Sequence, residues 1–448
     1  MLEFSRGDVR TAASGSDLFE RIVASGSLVL RKLGGTRAGE MSAHRFLSSP
    51  HVTVASILDT FSARAQAAST GRVVVVAQDT TEINFSGRER SRRGLGLGGD
   101  GRSAGFFIHP NVVVDASEGQ VLGLAGAQIW TRGQDKAAPR GARKVEEKES
   151  GRWLKGSEMA AQLLAGRAAK VICVSDREGD VWAHFAHAPR EVELAVRSRH
   201  DRPLEDGETL FGALCDQPPL AVCQVRVAPR GPGDKGRTAQ VELRARTVRI
   251  KRPNTAPSTD PPRLELGLVE VVEPDPPQGA KPLLWRILTT LPVGRAEEAQ
   301  AVIGYYRLRW RIEEVFRALK RDGLALEQTQ LQDRERLFRL AAMGLGAAVR
   351  ILQLVDARDG GSRPMSDVLD QALVQHVAVL VRRREGPTPK QKNPHPEGSL
   401  AWLAWVVARY GGWNCYGKPP GPKTMADGWT QFAATLTGLI LADQLQNV

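Results

Sequence analysis

The sequence predicts an α/β protein whose strand-rich middle is flanked by helical segments, and three patterns predict it. Near the N-terminus Leu18, Ile22, Leu28 and Leu30, and then Val54, Ile57, Leu58 and Phe61, recur at helical intervals between polar residues. Two short runs, Val73-Val74-Val75-Val76-Ala77 and Lys170-Val171-Ile172-Cys173-Val174-Ser175, have the β-branched content of buried central strands, and an aspartate stands at the end of each, Asp79 and Asp176. From about residue 201 to 291 apolar and polar residues alternate between proline-rich stretches, which predicts an all-β insertion.

The remaining elements follow in order. Residues 112–115 and 121–129 flank Ala116-Ser117-Glu118-Gly119-Gln120, so a hairpin is expected there. Residues 152–164 and 180–186 read as helices and 193–197 as a strand. Val241, Leu243 and Ala245 alternate with Glu242, Arg244 and Arg246, then the pattern slips by one residue before Val248 and Ile250, which predicts a β-bulge. Helical patterning resumes at Glu297 and runs to about Leu354 with a break at Arg321-Asp322-Gly323. The last part is helical apart from a loop rich in Pro and Lys, 385–398. No repeat of 20 to 50 residues is visible, which argues against a solenoid.

The 448 residues are 42% hydrophobic and 25% charged, a balance that buries substantial cores and excludes disordered and fibrous classes. Lys plus Arg number 62 against 50 Asp plus Glu, and the net charge of +12 attracts polyanions. Cys173, Cys215, Cys223 and Cys415 form no C-x-x-C pair and are expected to be reduced, mostly buried thiols. The N-terminus lacks the order of a signal peptide, and no run approaches the ~18 apolar residues of a membrane span. The expectation is a cytoplasmic, soluble protein with no membrane partner.

The stretch from Tyr305 to Lys320 concentrates chemistry. On a continuous helix Tyr306, Arg309, Glu313, Arg317 and Lys320 fall within roughly 80° of one another. Tyr305, Leu308, Ile312, Val315 and Leu319 form the opposite, apolar stripe. An ordinary solvated face with i,i+4 ion pairs is the plain alternative, each pair contributing about 0.2–0.5 kcal/mol. Against it stand the two strand-end aspartates, which with Glu313 make a set of three carboxylates. Such acids repel unless divalent cations neutralise them, and oxygen-only ligands suit Mg²⁺ or Mn²⁺. Two such ions serve phosphoryl transfer, and neighbouring cations hold the phosphates of a nucleic acid.

Tyr306, Arg309, Glu313 and Lys320 match the Y-x2-R-x3-E-x6-K signature of the IS-four family of bacterial DDE transposases, and the chain resembles that family along most of its length. Asp79 lies in Gln78-Asp79-Thr80-Thr81, similar to its D-T-T segment, and Asp176 in Asp176-Arg177-Glu178-Gly179-Asp180, similar to its D-R-E-x-D segment. Glu147-Lys148-Glu149-Ser150-Gly151-Arg152-Trp153-Leu154, His44-Arg45-Phe46-Leu47 and Arg197-Ser198-Arg199-His200 resemble further family elements. Gly7-Asp8-Val9-Arg10 resembles a G-D-x-R element so near the start that the family's first helix is expected to be missing.

The resemblance implies an RNase H-like catalytic core, a mixed five-stranded sheet with helices, carrying the all-β insertion. It implies a helical DNA-binding domain at 1–58, a catalytic domain at 59–356 and a helical dimerisation domain at 357–448. It also implies that Asp79, Asp176 and Glu313 hold two Mg²⁺ ions, for which Mn²⁺ substitutes. Tyr306, Arg309, Arg317, Lys320, Arg197 and Arg199 would contact DNA, and Trp285 would stack a flipped base. The implied activity is cut-and-paste transposition by nicking, hairpin formation and strand transfer. Its partners would be double-stranded DNA, as transposon ends and target, and a second copy in a synaptic homodimer formed through Leu400 to Ala408 and Thr435 to Leu445. A structure-specific nuclease of the same fold and an inactive DNA-binding remnant or inhibitor are the rival readings. The basic segment 88–93, followed by Gly94-Leu95-Gly96-Leu97-Gly98-Gly99, lacks the strand-to-helix context of a nucleotide site and reads as a basic loop, so no nucleotide cofactor is expected. Arg382-Arg383-Arg384 with Lys390 and Lys392 reads as a solvated charge run, with DNA contact as the alternative. His109 reads as structural.

Overall fold

The structure, a computed structural model, describes residue 4 and residues 9–85, 92–132, 151–227, 236–320 and 324–446. Gly7-Asp8, residues 88–91 and 147–150, and Arg321-Asp322-Gly323 lie outside the described residues.

The chain opens with α1 (Val9–Ser25), α2 (Leu30–Gly34), α3 (Arg37–Ser48) and α4 (Val54–Ala68). Thr36 and Thr53 start α3 and α4, because their hydroxyls accept from Gly39 N and Ser56 N, and Ser56 Oγ accepts from Thr53 N in return. Each such cap contributes about 0.5–2 kcal/mol. Strands β1 (Val73–Gln78), β2 (Thr81–Phe85), β3 (Gly96–Leu97), β4 (Ala104–Asp115) and β5 (Val121–Trp130) come next. Then follow α5 (Arg152–Leu164), β6 (Lys170–Ser175), α6 (Trp182–Ala186), β7 (Glu193–Arg197), β8 (Ala221–Val227), β9 (Arg237–Lys251), β10 (Arg263–Val272) and β11 (Leu284–Thr289). The helices α7 (Ala296–Arg307), α8 (Arg311–Lys320), α9 (Arg334–Ala357), α10 (Val374–Arg384), α11 (Leu400–Tyr410) and α12 (Pro422–Gln446) complete the chain.

These elements make two compact units. The first takes Met1–Thr70, Thr80–Ala137 and Arg311–Val448, and the second takes Gly71–Asp79 and Ala138–Trp310.

In the first unit the expected hairpin forms from β4 and β5, with β2 added antiparallel to β4. Helices α4 and α9 cover β5, and α9 also receives α1, α8, α11 and α12. Although α9 is long and apolar enough to cross a membrane, most of it is buried inside the unit, so it serves as the central core helix. Glu20 on α1 ties this core together by accepting from Arg350 Nη1 on α9 at 2.8 Å and Trp429 Nε1 on α12 at 3.0 Å. Arg350, 4% exposed, needs such a partner because an uncompensated buried charge is strongly destabilising. His109 is structural as expected, buried with Nδ1 3.0 Å from Thr80 Oγ1. Two expectations are corrected. Leu400 to Ala408 of α11 are all buried within this unit and present no dimer face, because the helix is apolar all round. Arg92, at the end of the basic segment, is a structural tie instead of a free loop cation: it donates to the carbonyls of Thr329 and Leu331 and stacks on Phe85.

In the second unit the strands run in the order β1-β6-β7-β11-β10-β9-β8. The pairs β1/β6 and β6/β7 are parallel and the later pairs antiparallel. Because β11 pairs with β7, the strands drawn from 201–291 continue the same sheet. No bulge forms at 246–248, since β9 keeps one register against β10 from Glu242↔Val272 to Lys251↔Arg263. The buried face changes instead. Ala239, Val241 and Leu243 are buried in the first half, Val248 and Ile250 in the second. Helix α7 packs against β9, while the 204–213 segment reaches its second half, where Leu204 bridges Ile250 and Arg246 Nη1 donates to Ala213 O. A strand covered on opposite faces at its two ends imitates a bulge in sequence. Among the cysteines, all free, only Cys173 is buried and Cys215 is exposed, which corrects the expectation of mostly buried thiols.

A Cβ at Gly346 of α9 would overlap the Phe61 ring of α4. Gly346→Val is therefore expected to lower the stability of the first unit by about 1–3 kcal/mol through overpacking, measured as a reduced urea midpoint.

Candidate active site

The register of β1 and β6 sets the geometry of the site. Val73 pairs with Lys170 and Ala77 with Val174, and extending that ladder by two residues pairs Asp79 with Asp176. Both aspartates therefore leave neighbouring parallel strands at the same level, where strands lie ~4.8 Å apart. Their side chains are partly open to solvent, 23% for Asp79 and 37% for Asp176.

Cations and a phenol hold these carboxylates. Arg309 Nη1 donates to Asp79 Oδ2 at 2.9 Å, with the arginine side chain only 9% exposed. Arg197 Nη1 lies 3.8 Å from Asp176 Oδ1, and Tyr306 donates its hydroxyl to the same oxygen at 3.4 Å. Burial, and then the charge of Asp176, push the Tyr306 phenol above its ordinary range, so it remains a donor.

Tyr306 and Arg309 do not lie on one continuous helix with Glu313, as the wheel assumed. Helix α7 ends at Arg307, residues 308–310 form a 3₁₀ turn, and α8 begins at Arg311. The tighter turn rephases the side chains, so Tyr306 and Arg309 are buried while Trp310 is exposed.

A cleft of about 710 Å³ adjoins Asp176 through Arg197. Arg177, Arg197, Arg199, Lys281, Phe211 and Trp285 are among its lining residues, which include no carboxylate. Trp285 is half-buried on β11 and meets Tyr306 edge-on at 5.8 Å. Arg286, also in the lining, lies over the Phe211 ring and is paired with Glu270. The wall is thus cationic with two aromatic surfaces. Sequence reading found Arg197, Arg199 and Trp285 but missed Arg177, Phe211 and Lys281. Arg177 stood inside the quoted motif, whereas Phe211 and Lys281 arrive from distant strands and loops with no local signal.

Asp180, the last residue of the Asp176-Arg177-Glu178-Gly179-Asp180 segment, shapes the rim. Its buried Oδ2 accepts from Arg199 N at 2.6 Å, His200 N at 3.1 Å and Ser198 Oγ at 3.3 Å. Arg202 Nη1 forms an ion pair with Oδ1 at 2.6 Å. One carboxylate fixes the loop that carries Arg199.

Beneath the aspartates runs a buried polar chain. His184 Nδ1 donates to Gly179 O at 3.1 Å, which leaves Nε2 to accept from Ser157 Oγ at 3.0 Å. The amide of Gln78, turned to satisfy its neighbours, donates to Trp153 O at 3.1 Å and accepts from Ser157 N at 3.3 Å. Gln78 precedes Asp79, and Gly179 closes the turn that follows Asp176. The chain therefore braces both strand ends. Burial holds the His184 imidazole down at about 4 and pushes the nearby Cys173 thiol up to about 11, so both stay neutral.

The other expected residues lie in the first unit. Glu313 is half-buried in the first turn of α8, Arg317 is exposed, and Lys320 Nζ donates to Glu82 O at 2.7 Å with Glu327 at 3.5 Å. Among the described residues no group of three His, Cys, Asp or Glu side chains stands ready to hold a metal. Asp79 and Asp176 nonetheless suit one in donor type, since they are level, partly open oxygen donors.

A family model described as a transposase DDE domain matches residues 141–350. The matched range contains Asp176, Arg197, Trp285, Tyr306, Arg309 and Glu313 and begins after Asp79. Over that range the chain is similar to DDE transposases, and the mixed α/β architecture is consistent with an RNase H-like transposase core.

The buried His184 predicts a pH response. Its pKa falls from 6.5 to about 4 on folding, so the unfolded chain binds the extra proton between those values. Stability then rises with pH through that window, by about 3 kcal/mol in all, and is level above it. Urea titrations across pH 4–7 are expected to show this slope, and His184→Gln to flatten it.

Proposed function

We propose that this protein is a DNA transposase that acts by cut-and-paste, with Asp79, Asp176 and Glu313 as its metal-holding acids. The observation that supports it most is the level pair of strand-end aspartates beside a cationic, aromatic-walled cleft. Two Mg²⁺ ions, replaceable by Mn²⁺, would supply activation of the attacking oxygen and stabilisation of the leaving oxygen in phosphoryl transfer. Glu313 joins the set on its place in the sequence signature, four residues after Arg309.

The chain's own residues divide the remaining work. Arg177, Arg197, Arg199 and Lys281 hold phosphates along the cleft. Arg309 keeps Asp79 oriented and partly neutralised, while Tyr306 orients Asp176 through its hydroxyl and Arg197 offsets the charge. Trp285, backed by Tyr306, offers a π-face to a base extruded from the duplex. Arg317 and Lys320 contribute contacts to the element's end. In the reaction water nicks one strand, the freed 3′-hydroxyl attacks the opposite strand to give a hairpin, and opening of that hairpin precedes strand transfer into target DNA. Residues 1–58 assist in recognising the ends. The synaptic homodimer forms through the C-terminal part of α12, where Leu441 and Leu445 are 54% and 78% exposed.

The test uses a plasmid bearing the DNA that flanks this reading frame, incubated with the full chain and Mg²⁺. Wild type is expected to nick at the element's ends and yield hairpins, while Asp79→Asn, Asp176→Asn and Glu313→Gln each lose about 10³-fold or more of the cleavage. Unchanged cleavage in Glu313→Gln would remove that residue from the site. Cleavage without hairpins would favour a structure-specific nuclease. Trp285→Ala is expected to keep nicking but weaken hairpin formation by about 1–3 kcal/mol, the size of one lost stacking contact, and Trp285→Phe to restore most of it.

A further inference from the structure

Away from the catalytic residues, the first unit gathers cations where α10 and α11 end and α12 begins. Arg382 and Arg383 are exposed in the last turn of α10, Lys390 is exposed in the loop after it, and Lys418 and Lys423 are exposed before and inside the first turn of α12. Arg382, Arg383, Lys418 and Lys423 have no carboxylate partner among the described residues. Arginines in a final helical turn also offset the helix dipole, but that accounts for neither Lys390 nor the lysines at the start of α12, where the dipole disfavours them.

These segments are joined by a framework of their own. Arg409 at the end of α11 donates to Arg384 O at 3.1 Å and to Trp413 O at 2.7 Å, and Arg384 stacks on Tyr410 at 3.9 Å. Lys392 is spent on Glu385 at 3.3 Å. Thr388 Oγ1 meets Tyr416 Oη at 2.9 Å, and Lys390 lies 5.7 Å from the Tyr416 ring. The turn bearing Tyr416 is held in an unusual shape, since Cys415 has φ 71° and Gly412 and Gly417 take φ 85° and 74°. Tyr416 is presented 44% exposed. An open cleft of about 600 Å³, lined by Arg384, Arg409 and Tyr410 together with Asp427, lies beside these helix ends.

We propose that the exposed cations Arg382, Arg383, Lys390, Lys418 and Lys423 at these joined helix ends, with Tyr416 beside Lys390, form a second binding surface for the sugar-phosphate backbone of duplex DNA. The cations are spread over a helix end and two loops instead of converging on one point, which suits a polyanion better than a small anion. Tyr416 is the exposed large apolar residue in these loops, so the face lacks the apolar contacts a membrane surface would use. Its biological sense rests on the transposase reading: the face would hold flanking or target DNA while the cleft holds the element's end. The binding itself requires no particular sequence.

The test is fluorescence anisotropy of a labelled duplex of arbitrary sequence against the full chain, without divalent metal, as a function of salt. Each phosphate contact contributes about −0.9 to the slope of log K against log salt. Arg382→Gln/Arg383→Gln/Lys390→Gln is expected to make the slope shallower by about 2–3, and Lys418→Gln/Lys423→Gln by up to about 2. All five side chains are exposed, so circular dichroism and melting should match wild type. Unchanged slopes in both variants would overturn the proposal, as would variants that lose binding to anionic phospholipid vesicles while keeping full binding to the duplex. If the slopes stay unchanged while Asp176→Asn abolishes end cleavage, this surface is wrong and the transposase reading stands. If the slopes fall but the wild type cleaves no flanking DNA, the surface stands and that reading fails.

Discussion

Parallel pairing of β1 with β6 brings Asp79 and Asp176 level at the ends of adjacent strands, and two carboxylates in that position repel. Much of the second unit answers that repulsion. Arg309 comes in from a 3₁₀ turn to Asp79, Arg197 from β7 approaches Asp176, and Tyr306 donates to the same carboxylate. The 3₁₀ turn after α7 keeps Tyr306 and Arg309 on the inward face and swings Trp310 out to solvent.

Such a pair also needs strand ends that do not drift. The buried chain from Gln78 through Ser157 and His184 to Gly179 supplies this, because it links the residue before Asp79 with the turn after Asp176. A neutral imidazole suits this bracing role, because one ring nitrogen donates, the other accepts, and burial keeps the second proton away. Asp180 performs a similar service at the cleft rim, where it converts the 198–200 loop into a fixed ledge for Arg199. The site is thus rigid beneath and open above.

The strands at 73–78 and 170–175 were legible in the sequence because β-branched runs of that length have few other uses, and the aspartates behind them stood out for the same reason. Helices at both ends were legible from their periodicity and caps. What failed was anything that depended on a uniform helix or strand. The wheel for 305–320 assumed 3.6 residues per turn across a stretch that contains a 3₁₀ turn, and the bulge in β9 was inferred from a slip that is a change of covered face. The burial of α11 was hidden by composition alone, which reads the same for a core helix and a dimer face. Phe211, Lys281 and the His184 brace were invisible because each belongs to a site assembled from separate parts of the chain.

The reading of Asp79 and Asp176 as metal-holding acids can be measured without DNA or turnover. Electron paramagnetic resonance of Mn²⁺ added to the full chain should show bound ion in the wild type and clearly weaker binding in both Asp79→Asn and Asp176→Asn, with folding unchanged by circular dichroism. Equal Mn²⁺ binding by the wild type and both variants would contradict it.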